Sequence, residues 1–129
     1  MKEVHVAVGV ILKDGNVFVC LRPQQVHQGG KWEFPGGKVD AGETVEEALT
    51  RELAEEIGIT VEASQPFMVI QHDYGDKRVR LDIHTVTGFV GEPYGREGQR
   101  SRWCPVKELL ESDFPEANRA IIQHLQNAL

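Results

Sequence analysis

The chain has 129 residues, of which 40% are apolar and 26% charged, and its formal net charge is −6. These values predict a single soluble globular domain over residues 1–129, large enough to bury a core. The acidic balance argues against a nucleic-acid polymer as partner, and no apolar stretch is long enough to span a membrane. Cys20 and Cys104 show no pairing pattern, so we expect reduced thiols and a cytoplasmic location.

The apolar pattern predicts a mixed α/β fold with a central sheet between helices. Residues 4–12 and 17–21 are predicted strands, and the Asp14-Gly15 sequence between them predicts a hairpin turn. Further strands are predicted, in chain order, at residues 32–34, 67–72, 78–89 and 102–106. Polar loops are predicted at residues 23–31 and 91–101, and a last helix is predicted from residues 113–115 to Gln126.

Residues 37–59 hold seven of the chain's twenty acidic residues. The first part of this segment contains glycines and predicts a loop, whereas the second part predicts a helix. Thr44 is a suitable N-cap for that helix, and Glu47, three residues later, completes a capping box. Gly58 is a natural end point just beyond the last helical turn.

Three carboxylates should share one face of this helix, because Glu52, Glu55 and Glu56 are spaced at i, i+3 and i+4. Like charges at this spacing repel by roughly 0.2–0.5 kcal/mol per pair, which a solvated face tolerates easily. The same cluster suits a hard cation such as Mg²⁺, which binds carboxylates, waters and phosphate oxygens together. The spacing alone leaves both interpretations open.

A longer pattern contains these carboxylates and distinguishes the two interpretations. The Nudix box is matched at every position, by Gly37, Glu43, Arg51, Glu52, Leu53, Glu55, Glu56, Gly58 and Ile59. The chain therefore resembles the Nudix hydrolases, which cleave a nucleoside diphosphate linked to another moiety. The resemblance implies an α/β/α sandwich with a mixed central sheet.

The same resemblance implies a bound divalent cation, Mg²⁺, for which Mn²⁺ can substitute. Its principal ligands would be the carboxylates of Glu52 and Glu56, with Glu55 sharing or supporting them. The carbonyl of Gly37 would be a further ligand. Glu97, on a flexible glycine-rich loop far along the chain, would be a mobile additional ligand.

For catalysis, the resemblance points to Glu52 as the general base, with a metal-bound hydroxide as the alternative. Crowded carboxylates raise one another's pKa whereas metals lower it, which is the physical reason for choosing among these acids. Arg51 and Glu43 would orient the loop and the helix around the catalytic carboxylates.

The resemblance is strongest to the MutT-type group of the family and runs nearly end to end, including residues 33–38, 91–99 and 113–118. It implies hydrolysis of 8-oxo-dGTP, and of the ribonucleotide, to the monophosphate and pyrophosphate by water attack at the β-phosphorus. Such an activity keeps oxidised guanine out of DNA.

Four residues would bind the nucleotide in that case. Asn118 would read the base edge through its amide, which both donates and accepts hydrogen bonds, and the backbone of Phe34 would contact the purine. Arg22 would bind phosphate, and His27 would lie in the loop over the nucleotide.

Three other functions stay open at this point. The chain could be a Nudix hydrolase for another nucleotide, a non-catalytic nucleotide-binding module, or a structural interaction domain. The complete set of box carboxylates favours an enzyme over a binding module. We expect a monomer that acts on a small nucleotide.

Overall fold

The computed structural model describes residues 3–22 and 29–128. Its strands are β1 (Glu3–Lys13), β2 (Asn16–Leu21), β3 (Trp32–Glu33), β4 (Gly36–Lys38), β5 (Thr60–Asp73), β6 (Arg78–Val90) and β7 (Ser101–Pro105). Its helices are α1 (Val45–Ile57) and α2 (Arg119–Ala128), with 3-10 turns at Val106–Glu108, Glu111–Asp113 and Glu116–Asn118. Within these described residues, neither helix is long and apolar enough to cross a membrane.

The strands form a mixed sheet in the order β3-β2-β1-β6-β5, with β4 paired to β1 and β7 paired to β2. Strands β1 and β6 run parallel, in a register that extends from Glu3 opposite Arg78 to Ile11 opposite Val86. The other strand pairs are antiparallel. The predicted mixed sheet is therefore confirmed.

The predicted hairpin turn is also present. Asp14 and Gly15 both have positive φ, 53° and 78°, which is the requirement of the tight turn that suits the twist of paired strands. The pairing is short, however, because β1 and β2 are joined only at Leu12 with Val17 and at Lys13 with Asn16. Over the rest of their lengths, β2 pairs with β7, whereas β1 pairs with β4 and β6.

Helices cover both faces of the sheet. Successive side chains of β1 point to opposite faces and so contribute to two separate cores. The core beneath α1 includes Ala7, Ile11, Leu49, Leu53 and Ile57. The core beneath α2 includes Val8, Val10, Ile121, Ile122 and Leu125. The molecule is thus an α/β/α sandwich, as expected, and the two cores also contain the free thiols of Cys20 and Cys104.

Strand β5 begins at Thr60, seven residues before the predicted start at Phe67. Register shifts interrupt its pairing with β6 near Ala63 and again after Pro66. Each shift breaks the alternation of inward and outward side chains, so the sequence pattern is hidden there. A proline inside this strand is tolerated because β5 lies at the edge of the sheet.

The predicted start of the last helix at residues 113–115 is wrong, because α2 begins at Arg119. Phe114 is extended, with φ −121° and ψ 155°, since a residue before proline is pushed away from helical backbone angles. Pro115 itself has a ψ of 150°. A 3-10 turn at Glu116–Asn118 then separates the proline from α2.

Candidate functional site

Local signals position the acidic helix as the sequence predicts. The Thr44 hydroxyl accepts a hydrogen bond from the Glu47 backbone N–H at 3.1 Å, and the Glu47 carboxylate accepts one from the Thr44 N–H at 2.8 Å. The predicted capping box is therefore present. Gly58 ends the helix in the left-handed conformation, with φ 72° and ψ 24°.

A cavity of about 430 Å³ lies between the acidic face of α1 and the turn that precedes α2. Part of the cavity lining is acidic and includes Glu52, Glu56 and Glu97. The floor is apolar and comes from the parallel pair β1 and β6, through Val4, Val6, Val8, Val79 and Leu81. The turn before α2 contributes Asn118 to the lining.

Seven of the residues predicted from the sequence line this cavity: Arg22, Phe34, Gly37, Glu52, Glu56, Glu97 and Asn118. Three others, Glu43, Arg51 and Glu55, lie beside it without lining it. His27, predicted to cover the nucleotide, lies outside the residues that the structure describes. The predicted site residues are thus gathered from five separate segments of the chain.

Glu56 is the most buried of these carboxylates, with 9% of the residue exposed. Burial, followed by the nearby carboxylates of Glu33, Glu97 and Glu52, raises its pKa to about 8. The Gly36 backbone N–H donates a hydrogen bond to Glu56 Oε2 at 3.2 Å, which favours the charged form and opposes this rise. A bound cation would favour the charged form more strongly.

Gly37 and Glu52 approach so closely that position 37 has room for a side chain only if the Glu52 carboxylate moves aside. A Cβ atom at Gly37 would lie 2.2 Å from the Glu52 carboxylate. The backbone of β4 therefore runs directly against a carboxylate of α1, and Glu56 and Glu97 line the same cavity. Carboxylate and carbonyl oxygens are the ligands that hard divalent cations prefer, so these residues fit such a cation.

Arg51 connects the loop before α1 to the acidic face. Its guanidinium donates two hydrogen bonds to Glu43, each of 2.8 Å, one to Glu52 at 2.7 Å and one to the Lys38 carbonyl at 3.1 Å. These contacts and a backbone hydrogen bond from Asp40 lower the Glu43 pKa to about 2. These contacts hold the loop before α1 against the helix, and the orienting role of Arg51 and Glu43 in catalysis stays a prediction.

Glu55 does not join the other acids in this conformation. Its side chain is 55% exposed and its carboxylate lies 3.7 Å from Arg51. Over residues 3–22 and 29–128, no three His, Cys, Asp or Glu side chains are arranged to hold a metal ion. The Glu52 carboxylate contacts Arg51 and the Glu56 carboxylate contacts the Gly36 N–H, so these side chains would have to rotate for their oxygens to bind one cation together.

The segment that carries Glu97 is tied to the C-terminal end of α1, where helix carbonyls lack intrahelical partners. Backbone N–H groups of Tyr94 and Arg96 donate to carbonyls of Ile57 and Glu56, both at 3.1 Å. The Arg96 guanidinium donates to the carbonyl of Ala54 at 3.0 Å. These hydrogen bonds attach the glycine-rich segment to α1, while the side chain of Glu97 itself stays exposed.

Two residues that the sequence analysis did not select support the nucleotide-binding candidates. Glu33 accepts a hydrogen bond from Arg22 at 2.6 Å, and burial raises the pKa of its carboxyl while Arg22 lowers it. The Tyr74 hydroxyl accepts a hydrogen bond from the Ala117 N–H at 3.3 Å, next to Asn118. Glu33 lies within the segment that resembles MutT-type proteins, whereas nothing in the sequence pattern indicates the Tyr74 contact.

The Phe34 side chain belongs to the core rather than to the open cavity. It is 4% exposed and stacks on Phe114, with ring centroids 5.2 Å apart. This packing holds the segment after Phe114, which leads to Asn118, against β3 and β4. The Phe34 side chain is therefore used in packing, and contact of the Phe34 backbone with a purine stays a prediction.

Comparison with known proteins places this geometry in a family. A family model described as NUDIX domain matches residues 7–124. A relative from Escherichia coli (strain K12), named 8-oxo-dGTP diphosphatase, is 39% identical over 127 residues, covering 98% of both chains. Another relative from the same organism, named CTP pyrophosphohydrolase, is 32% identical and covers 95% of this chain and 91% of its own.

A solved structure has the same fold and a similar sequence. It comes from a study of MutT from Aliivibrio salmonicida and Vibrio cholerae, has a TM-score of 0.84 and is 39% identical. The match covers 99% of this chain and 100% of the other. On the family model, the relatives and the shared fold, the chain belongs to the Nudix family of hydrolases.

Proposed function

We propose that this chain is a Mg²⁺-dependent pyrophosphohydrolase that converts 8-oxo-dGTP, and 8-oxo-GTP, to the monophosphate and pyrophosphate. Nudix hydrolases generally use a divalent metal ion; Mg²⁺ is the cation proposed here, with Mn²⁺ as a substitute. The observation that carries the proposal is the cavity itself. It joins a carboxylate wall, suited to a cation and phosphates, to an amide that can read a base edge.

We assign Glu52, Glu56, Glu97 and the Gly37 carbonyl as cation ligands, with Glu55 able to join after a side-chain rotation. A cation bound there would neutralise phosphate charge and lower the pKa of a water molecule. Such neutralisation is needed because both the carboxylate wall and a triphosphate are negatively charged. Arg22, held by Glu33, would bind a phosphate at the rim.

Glu52 is the proposed general base for the attacking water. The new bond joins the water oxygen to the β-phosphorus, and the bond that breaks joins this phosphorus to the oxygen bridging the α-phosphate. The nucleoside monophosphate leaves with that bridging oxygen. Arg51 keeps Glu52 oriented through the 2.7 Å hydrogen bond described above.

In the same cavity, Asn118 would distinguish 8-oxoguanine from guanine. Oxidation adds an oxygen at C8 and a proton at N7, so an acceptor facing N7 pairs with the oxidised base and meets a lone pair on the normal base. Unpaired buried polar groups are penalised more strongly than a poor fit of shape. The apolar floor of the cavity would cover the face of the purine.

The experiment that tests the proposed function is release of pyrophosphate from 8-oxo-dGTP and from dGTP, with Mg²⁺ and with a chelator. We expect Mg²⁺-dependent release with a strong preference for the oxidised nucleotide. Equal release from both nucleotides would contradict the substrate assignment and leave the hydrolase chemistry in place. Binding of nucleotides without turnover would support a non-catalytic module instead.

CTP is the second candidate substrate, because a relative named CTP pyrophosphohydrolase is 32% identical over 123 residues. The relative named 8-oxo-dGTP diphosphatase is more similar, at 39% over 127 residues. CTP therefore belongs in the same assay as a third nucleotide. Faster release from CTP than from 8-oxo-dGTP would reverse our order of the two substrates.

Replacement of Gly37 tests the close approach of β4 to α1. The Cβ atom of a Gly37→Ala variant meets the movable end of the Glu52 side chain, so the protein should fold while the carboxylate is displaced. We expect turnover of 8-oxo-dGTP to fall by about 100-fold, since small misplacements of a catalytic group cost this much. The melting temperature should stay near that of the wild type.

Gly36→Ala is the matched comparison for that variant. Its Cβ atom would lie 2.0 Å from the backbone carbonyl of Ala7, which cannot move without breaking the β1–β4 pairing. This variant should therefore lose stability. A Gly37→Ala variant with wild-type turnover would show that the position of Glu52 does not matter for hydrolysis.

We propose that the protein acts as a monomer. A function in nucleotide-pool sanitation would be exercised where free nucleotides are used for DNA synthesis, and we propose the cytoplasm. Two free, buried thiols suit a reducing compartment of this kind.

A further inference from the structure

Gln99 connects the backbones of two residues in the acidic wall. Its Nε2 atom donates a hydrogen bond to the Glu56 carbonyl at 3.0 Å. Its Oε1 atom accepts one from the Glu97 backbone N–H at 2.9 Å. One half-buried amide therefore joins the last turns of α1 to the segment that carries Glu97, across 43 residues of sequence.

Both partners fix the orientation of this amide. A backbone carbonyl can only accept a hydrogen bond and a backbone N–H can only donate one, so a flipped amide would lose both. The second hydrogen of Nε2 points toward the Cys20 sulfur, 4.0 Å away. The Glu56 carbonyl also accepts from the Arg96 N–H, so both of its lone pairs are used.

Glu97 depends on this bridge more than Glu52 and Glu56 do. The two α1 residues are held in place by the helix, whereas Glu97 lies on an exposed segment beside Gly98, which has a φ of 88°. Its own backbone N–H is bonded by Gln99. Removal of the amide would take away this hydrogen bond from the Glu97 N–H itself. The segment would then be held on one side by the Tyr94 and Arg96 contacts and on the other by the Leu21 N–H, which donates to the Arg100 carbonyl at 2.8 Å.

We propose that Gln99 is a positioning residue that sets the placement of Glu97 relative to Glu56 and thereby strengthens cation binding in the cavity. The inference rests on the cation-binding role given to these carboxylates under the proposed function. Groups that orient a metal ligand typically contribute about 10- to 100-fold to metal affinity. Gln99 acts through Glu97 and need not contact the cation.

The test is calorimetric titration of Mn²⁺ into the full chain without nucleotide, comparing wild type with Gln99→Met. Methionine keeps the length of the side chain and removes both hydrogen bonds. We expect Mn²⁺ affinity to fall by about 10- to 100-fold. Affinity within about twofold of wild type would overturn the proposal, because that is the size of ordinary independent effects.

Gln126→Met is the matched control for a purely structural role. Gln126 also bridges two backbone groups with its amide, donating to the carbonyls of Val106 and Leu109, each at 3.1 Å, outside the cavity. Both variants should lose similar thermal stability. Only Gln99→Met should lose Mn²⁺ affinity, and an equal loss in both would contradict the proposal.

The double variant Glu97→Ala with Gln99→Met tests whether Gln99 acts through Glu97. We expect the double variant to bind Mn²⁺ as Glu97→Ala alone does, within about twofold. If the losses of Mn²⁺ affinity in the two single variants multiply in the double variant, Gln99 does not act through Glu97. Wild-type Mn²⁺ binding without hydrolysis of 8-oxo-dGTP would remove the proposed substrate alone, whereas no Mn²⁺ binding by the wild type would remove this inference as well.

Discussion

Glu52→Gln is expected to reduce turnover of 8-oxo-dGTP by about 100- to 10,000-fold, the usual contribution of a general base. An amide at this position cannot accept the proton of the attacking water. The change should leave the fold intact, because the amide oxygen can still accept the 2.7 Å hydrogen bond from Arg51. Steady-state pyrophosphate release and thermal unfolding, measured side by side, check both expectations.

Glu46→Gln is a suitable control for that variant. Glu46 is an exposed acid in the first turn of the same helix and does not line the cavity. The Glu46→Gln variant removes one negative charge from α1, as Glu52→Gln does, and should leave turnover unchanged. Near-normal turnover by Glu52→Gln would remove Glu52 from the mechanism and leave a hydroxide activated by the cation as the explanation.

Asn118→Ala is expected to reduce the preference for 8-oxo-dGTP over dGTP by about 5- to 150-fold, which corresponds to roughly 1–3 kcal/mol for one buried polar pairing. Hydrolysis of dGTP should fall much less, because normal guanine gains little from the amide. The 3-10 turn should persist, since its hydrogen bond to the Pro115 carbonyl is made by the backbone of Asn118 at 2.9 Å. The ratio of kcat/KM for the two nucleotides is the measurement.

The chain offers a matched control in Asn127→Ala. Asn127 is exposed, lies in α2 and does not line the cavity, so its replacement should leave the ratio unchanged. If Asn118→Ala keeps the full preference for 8-oxo-dGTP, the base must be read by other groups. Backbone atoms of Phe34 would then be the first candidates to examine.

The sequence predicts best those features that depend on residues close together in the chain. Thr44, Glu47 and Gly58 define the ends of α1, and the structure has the helix between them. The Asp14-Gly15 turn is likewise determined by two adjacent residues. Each of these features follows from local backbone chemistry, which needs no knowledge of distant partners.

Features that depend on residues far apart in the chain are harder to predict from the sequence. Gln99 is a polar residue in a glycine-rich segment, and its importance appears only when the Glu56 carbonyl is brought within 3.0 Å. The Tyr74 contact to the Ala117 N–H spans 43 residues in the same way. The early start of β5 was missed for another reason, because bulges near Ala63 erase the period of two that identifies a strand.

Burial also differs among the three carboxyl groups on the acidic face, and it raises the pKa of Glu56. Helical spacing places Glu52, Glu55 and Glu56 on one face, but spacing does not tell how deeply each carboxyl is buried. In the structure Glu56 is buried and its pKa is raised to about 8, whereas Glu55 is exposed. The distinction arises from β4 and from the segment around Glu97, which cover Glu56 and leave Glu55 open.

The parallel pairing of β1 with β6 has a consequence for the synthesis of the chain. Val6 in the cavity floor is paired with Leu81, so the two sides of the floor are 75 residues apart in sequence. A ribosome that has exposed only the first half of the chain has already released Glu52 and Glu56 but not the strand that completes the floor. The cavity around these acidic residues therefore cannot form until β6 has been synthesised. Contacts of such long range also slow folding.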